Sequence, residues 1–180
     1  MEIHNEIEFK SMLTKEEYER LLPLYTFKTY TQINDYLDTE NGDFAKNKQG
    51  CRIRIKNDSY EVTVKTPISE LETKEQNWPL TASEYERFLD SRDLSFIDGM
   101  FDQPLQSIGT IKTIRSEADY GTGVLMMDHS IFNTSEDFEI EFEVKDAKIG
   151  QQEFLDFLTT NHLPYRLAKK KLVRMREDSK

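Results

Sequence analysis

The sequence predicts an α+β fold in which short strands, each with one charged and one apolar face, are covered on the apolar side by helices. Three observations carry this expectation. Several segments alternate between polar and apolar residues, two capping boxes precede apolar stripes at helical spacing, and the 180 residues, 37% hydrophobic and 32% charged, suffice for one core.

The elements follow in chain order. Residues 2–10 set Glu2, His4, Glu6, Glu8 and Lys10 on one face against Ile3, Ile7 and Phe9 on the other, with Asn5 the polar intruder. A helix starts where Thr14 and Glu17 form a capping box ahead of Tyr18, Leu21 and Leu22. A strand is expected over 30–38 and a loop over 40–50. Residues 51–56 oppose Arg52, Arg54 and Lys56 to Cys51, Ile53 and Ile55, and residues 60–65 oppose Glu61, Thr63 and Lys65 to Val62 and Val64. The Asn57-Asp58 step between them reads as a hairpin turn. Residues 66–80 are expected to be a second mobile loop. Thr81 and Glu84 form another capping box before Tyr85, Phe88 and Leu89. Strands are expected at 108–116, 123–128 and 137–144, the last with Asp137, Glu139, Glu141 and Glu143 on one face. Phe154, Leu155 and Leu158 mark a third helix over 149–160, and a final strand is placed near 165–175.

Composition bounds the function. A net charge of −10 excludes a general nucleic-acid binder, so any anion site is local. Cys51 is the only cysteine, which excludes an internal disulfide and a cysteine-rich zinc cluster. The acidic N-terminus has no apolar leader region and no stretch reaches transmembrane length, so the expectation is a cytoplasmic protein of one domain, residues 1–180. His4, His129 and His162 lack metal-ligand spacing, and Cys51 falls on an apolar face, where packing rather than nucleophilic chemistry is expected.

The helices must cover the apolar strand faces, so the charged faces meet either water, in an open sheet, or one another, in a barrel. Signs are sorted: strand 137–144 carries four carboxylates on one face, and strand 51–56 three cations. Like charges side by side are costly. A metal ion on the acids and a polyphosphate on the bases would relieve both, and oxygen ligands favour Mg²⁺ or Mn²⁺ over zinc. Alternation alone leaves sheet and barrel both open.

Glu6-Ile7-Glu8-Phe9-Lys10 resembles the ExExK signature of the CYTH superfamily, the triphosphate tunnel metalloenzymes. Gln32 to Thr39 resembles that family's second-strand pattern, and Arg52-Ile53-Arg54, Thr63-Val64-Lys65, Arg115, Asp128, Glu139-Ile140-Glu141 and Lys171 with Arg174 follow in the family's order. The resemblance implies an eight-stranded antiparallel barrel open at both ends, with helices packed outside. It implies that Glu6, Glu8, Asp128, Glu139 and Glu141 bind the divalent cations. Lys10, Arg52, Arg54, Lys65, Arg115, Lys171 and Arg174 would hold phosphate oxygens, with Lys10, Arg52, Arg54 and Lys65 closest to the chemistry. Glu72 and Glu75 lie where related chains carry tunnel carboxylates. One departure is the absence of a Lys-x-Arg pair, since Thr113 precedes Arg115 by two and Lys112 has the opposite parity.

The activity so implied is metal-dependent hydrolysis of inorganic, thiamine or nucleoside triphosphate. The alternatives are ATP cyclisation of the class IV adenylate cyclase type and a non-catalytic polyphosphate or phosphonucleotide sensor. A small triphosphate is the expected partner, and the sequence gives no oligomeric state.

Overall fold

A computed structural model describes residues 1–97 and 101–178. Eight strands make one closed antiparallel barrel: β1 (Glu2–Leu13), β2 (Lys28–Thr39), β3 (Gly50–Lys56), β4 (Ser59–Pro67), β5 (Glu72–Leu80), β6 (Leu105–Tyr120), β7 (Gly123–Ile131) and β8 (Glu136–Val144). Around the wall the order is β1-β5-β4-β3-β2-β6-β7-β8. Closure removes every sheet edge and decides between the two readings left open by alternation: the charged faces become an interior. Register fixes this parity, since Lys10 pairs with Glu141, Arg115 with Asp128, Asn34 with Arg54 and Lys65 with Glu75.

The outward apolar faces are buried under helices. α1 (Lys15–Leu21) and α4 (Ala147–Thr160) cover β1, β7 and β8, joining Phe9, Met127, Ile140 and Phe142 to Leu21, Phe154 and Phe157. α3 (Ala82–Ser91) covers β3, β4 and β5, packing Phe88 with Ile53, Val62, Val64 and Trp78. Both capping boxes form, at Thr14 with Glu17 and at Thr81 with Glu84, and Asp146 caps α4. Cys51 lies in the outer cluster, where burial pushes its thiol pKa up. Trp78 also packs outside the wall, against Phe101.

Three expectations are corrected. The final strand near 165–175 does not form; an extended segment leads into a helix, α5 (Lys171–Asp178). Leu172 and Met175 repeat at three residues, as do Lys171 and Arg174, so the residues sort by a helical rather than a strand period. The eighth strand is instead β5, inside the expected loop 66–80: Thr73, Glu75 and Asn77 line the cavity while Trp78 and Leu80 join the outer core. The expected loop 40–50 holds a short helix, α2 (Asp43–Lys46), whose Phe44 and Ala45 amides donate to the Asp38 carboxylate at 3.0 and 3.2 Å.

α5 also departs from the picture of helices packed only outside a doubly open barrel. Its Met175 joins Tyr36, Ile111 and Phe132, of which Tyr36 and Ile111 share the inward parity of Asn34 and Arg115, so α5 fills one end of the tunnel. Gly109 permits this approach at a bulge in the β2–β6 ladder. Its φ is +147°, and a Cβ there would meet the Met175 sulfur at 2.7 Å.

Candidate active site

Inside the barrel lies a cavity of about 590 Å³. Every strand but β7 contributes to its lining, together with the first residues of α5. Alternation delivers one inward side chain per two residues, so charged groups from β1, β3, β4, β5, β6 and β8 converge on one space.

The acidic centre is built by β7 and β8. Asp128, Glu139 and Glu141 place carboxylate oxygens within 4.8 Å of one another, and Asp128 and Glu139 have no solvent exposure. Arg115, across the β6–β7 ladder, grips Asp128 through two bonds of 2.8 and 2.6 Å and reaches Glu141 at 2.6 Å. Lys171, at the start of α5, touches all three acids: Asp128 at 2.8 Å, Glu141 at 2.6 Å, and Glu139. Arg174, one turn later, bonds both Glu139 oxygens at 2.6 and 2.9 Å and lies 3.1 Å from Asp137. Burial opposes the charges of Asp128, Glu141, Arg115, Lys171 and Arg174, yet for these five the pairing wins. Lys171 and Arg115 hold Glu141 well below the usual carboxylate range and Arg115 with Lys171 lowers Asp128, while those carboxylates, and Glu139 beside Lys171, raise Arg115 and Lys171.

β1 supplies Glu6, Glu8 and Lys10. Glu8 pairs with Lys10, and Lys65 of β4 bridges Glu6, at 2.6 Å, to Glu75 of β5. Burial and the nearby Glu141 raise the Glu8 pKa even so. Glu72, expected beside Glu75 as a tunnel carboxylate, instead pairs with Ile7 on the outward parity, does not line the cavity and accepts a 2.8 Å bond from Asn5.

The opposite wall, β2 and β3, is basic and neutral. Arg54 donates through Nε to Asn34 at 3.0 Å, while Arg52 has its buried Nε without a hydrogen-bond partner. Neither guanidinium has a carboxylate within 4.0 Å among the described residues. Burial, with Arg52 and Arg115 facing it, pushes the Arg54 pKa down to about 9. Gln32 stands beside them with its buried carbonyl oxygen unpartnered.

The structure therefore distributes the sequence-selected residues over three neighbouring zones. Asp128, Glu139 and Glu141 come together with Arg115, Lys171 and Arg174; Glu6, Glu8, Lys10 and Lys65 form charge pairs along the wall; Arg52 and Arg54 face the cavity from across. Thr113 is fully buried with an unpartnered hydroxyl, and Lys112 is exposed. Sequence reasoning did not single out Gln32, Asn34 or Asn77 for the cavity lining, although each sits on an inward parity that alternation could have supplied. The convergence of hard oxygen donors at Asp128, Glu139 and Glu141 fits a divalent cation of the Mg²⁺ or Mn²⁺ kind.

Comparison with known proteins agrees with this architecture. The CYTH domain model matches residues 4–175. A Bacillus subtilis (strain 168) protein named as a candidate triphosphatase, YjbK, is 34% identical over 190 residues, covering 97% of this chain and 96% of that protein. A crystal structure from Bacillus halodurans, named as a candidate adenylate cyclase, superposes with a TM-score of 0.84 at 30% identity, over 97% of this chain and 98% of that one. A Hippeastrum protein described as a candidate adenylyl cyclase with a dominant triphosphatase activity shares the fold at a TM-score of 0.79 and 20% identity, over 99% of this chain and 96% of its own.

Proposed function

This chain belongs to the CYTH domain family, and from that premise we propose that it is a divalent-metal-dependent phosphohydrolase that cleaves a triphosphate inside its barrel. One observation carries the reading: Arg52 and Arg54 face an enclosed cavity without a carboxylate partner among the described residues, while the acidic centre stands across from them. Uncompensated guanidiniums at a cavity wall suit a polyanion, which their planar donors grip through several oxygens. The printed description of the Bacillus subtilis relative points the same way.

Phosphoryl transfer asks little covalent chemistry of a protein, so positioning and charge neutralisation should dominate. Arg52 and Arg54 would orient the phosphate chain, and Lys10 and Lys65 would neutralise it as point charges. Asp128, Glu139 and Glu141, with Glu6 and Glu8 nearby, would hold Mg²⁺ or Mn²⁺, which supplies Lewis-acid neutralisation of phosphoryl oxygens when bound. Asn34 fixes the Arg54 fork.

The test is phosphate release from inorganic, thiamine and nucleoside triphosphates with Mg²⁺ or Mn²⁺. We expect release from at least one. Cyclic AMP and pyrophosphate from ATP would favour the cyclase reading suggested by the Bacillus halodurans relative, and tight binding without turnover would make the chain a sensor. Full activity in a Glu6→Ala/Glu8→Ala variant would reject the place given to those residues.

A further inference from the structure

We propose that Lys171 is a tethered stand-in for the divalent cation: it sets the metal affinity of the Asp128, Glu139 and Glu141 cluster, and loading the ion frees the Lys171 ammonium from those carboxylates. The inference rests on the metal-dependent reading above and deepens it, by assigning to one residue the control of when the metal site is available.

The contacts come first. A lysine ammonium held by one carboxylate is an ordinary ion pair, but Lys171 meets three at once, at the convergence of oxygens that suits a cation. The ammonium and a divalent ion would compete for the same oxygens. Charge balance then decides the direction of the coupling. Asp128, Glu139 and Glu141 are matched in number by Arg115, Lys171 and Arg174, with the part-exposed Asp137 at the edge sharing Arg174, so the three buried acids have no unmet charge as they stand. Adding two positive charges there without releasing one would leave an uncompensated excess in a site with little water.

Lys171 is the cation best placed to leave. Arg115 is fixed in mid-strand and doubly bonded to Asp128, and Arg174 retains both Glu139 and Asp137. Lys171 opens α5, at the joint between the helix and the extended segment before it. The far end of α5 is pinned separately, since the Asp178 carboxylate accepts from the Thr134 amide and hydroxyl at 2.9 and 2.8 Å and from the Ser135 hydroxyl at 2.5 Å. The Lys171 side chain can therefore swing away while α5 keeps its seat through Arg174, Met175 and Asp178. A released Lys171 already lines the cavity and meets the phosphate chain there.

The coupling is reciprocal: whatever metal binding costs in displacing Lys171, Lys171 costs in metal affinity. The experiment uses the whole chain with Mn²⁺ and no triphosphate. Titration followed by electron paramagnetic resonance should show K171M binding Mn²⁺ about tenfold or more tightly than the unaltered protein, because a unit of like charge beside the ion is gone. K171R, which retains that charge, should bind no more tightly than the unaltered protein. In parallel, acetylation of the unaltered chain read by mass spectrometry should find Lys171 protected without metal and labelled at saturating Mn²⁺. Equal or weaker Mn²⁺ binding by K171M, no Mn²⁺ binding at all, or labelling of Lys171 indifferent to metal overturns the proposal. The labelling needs no variant, so a K171M chain that failed to fold would leave the test standing. A chain that passes it yet hydrolyses no triphosphate would defeat the functional reading alone.

Discussion

The two walls of the tunnel are built from the same kinds of residue and differ in bookkeeping. On the β6–β7–β8 side each buried carboxylate of the central cluster has a cation against it, and Arg115 alone makes three charge-assisted bonds. On the β2–β3 side Arg52 and Arg54 have no carboxylate within 4.0 Å among the described residues; Asn34, Gln32 and Tyr36 beside them are neutral, and Glu61 and Glu75 face the same cavity from β4 and β5 without an ion pair to either guanidinium. A matched cluster is satisfied with nothing bound and fails when one member is removed. An unmatched pair of guanidiniums repels in a way that an anion relieves, and the Arg54 pKa is depressed by burial first and by Arg52 and Arg115 second. On the function proposed above, the first wall would serve the fold as well as the metal, and the second would serve substrate binding.

The largest expected effect tests that division at its stable side. Asp128→Asn strands Arg115 and Lys171 around a fully buried position and should cost about 3–5 kcal/mol of unfolding free energy, read by urea denaturation. A cost below about 1 kcal/mol, the range of an ordinary surface change, would show that the cluster rearranges and that the two walls do not differ in this way. Next comes the opposite wall. Arg52→Ala should lower kcat/KM for the hydrolysed triphosphate by about 2–4 kcal/mol of transition-state stabilisation, the range for one preorganised donor. The same variant should leave stability unchanged within about 0.5 kcal/mol, because no carboxylate loses its partner. If Arg52→Ala instead unfolds the chain while activity per folded molecule persists, the comparison is broken from the other side.

Much of this division was legible in the sequence because the strand period is strict. Parity along 2–10, 51–56, 60–65 and 137–144 assigned the inward residues before any contact was known, and both capping boxes marked their helices. Closure was not legible from alternation, which is identical for a wet sheet face and a barrel interior; the order of motifs along the chain supplied it. β5 was hidden by its composition. Thr73, Glu75, Asn77 and Pro79 alternate with Lys74, Gln76 and Trp78, so the outward face carries too few apolar residues to read as buried. α5 was hidden for the converse reason. Lys169-Lys170-Lys171 reads as a solvated run, and only the three-dimensional position of Asp128, Glu139 and Glu141 turns Lys171 inward. Which cation pairs with which acid is a property of the closed barrel, and no spacing along the chain encodes it.

The smallest expected effect lies at the margin of the matched wall, where Arg174 is shared. Glu139 takes its two bonds and Asp137 is left with the remainder, one oxygen 3.1 Å from the guanidinium and the other buried without a hydrogen-bond partner. Burial, with Glu139 adding to it against the pull of Arg174, raises the Asp137 pKa to about 6. The sign follows from linkage: a carboxyl raised above its unfolded value of about 3.9 favours the native state when protonated, and that contribution is lost as pH rises through about 6. Asp137→Asn removes the surplus charge, so its stability relative to the unaltered protein should climb between about pH 4 and about pH 6 and level off above that. The gain at the upper end should be about 1 kcal/mol, reduced by the solvent that reaches a side chain 25% exposed. Urea midpoints measured across that range check it. A difference that stays flat would mean that Arg174 compensates Asp137 as fully as it does Glu139, and the matched wall would then extend one residue further toward the mouth.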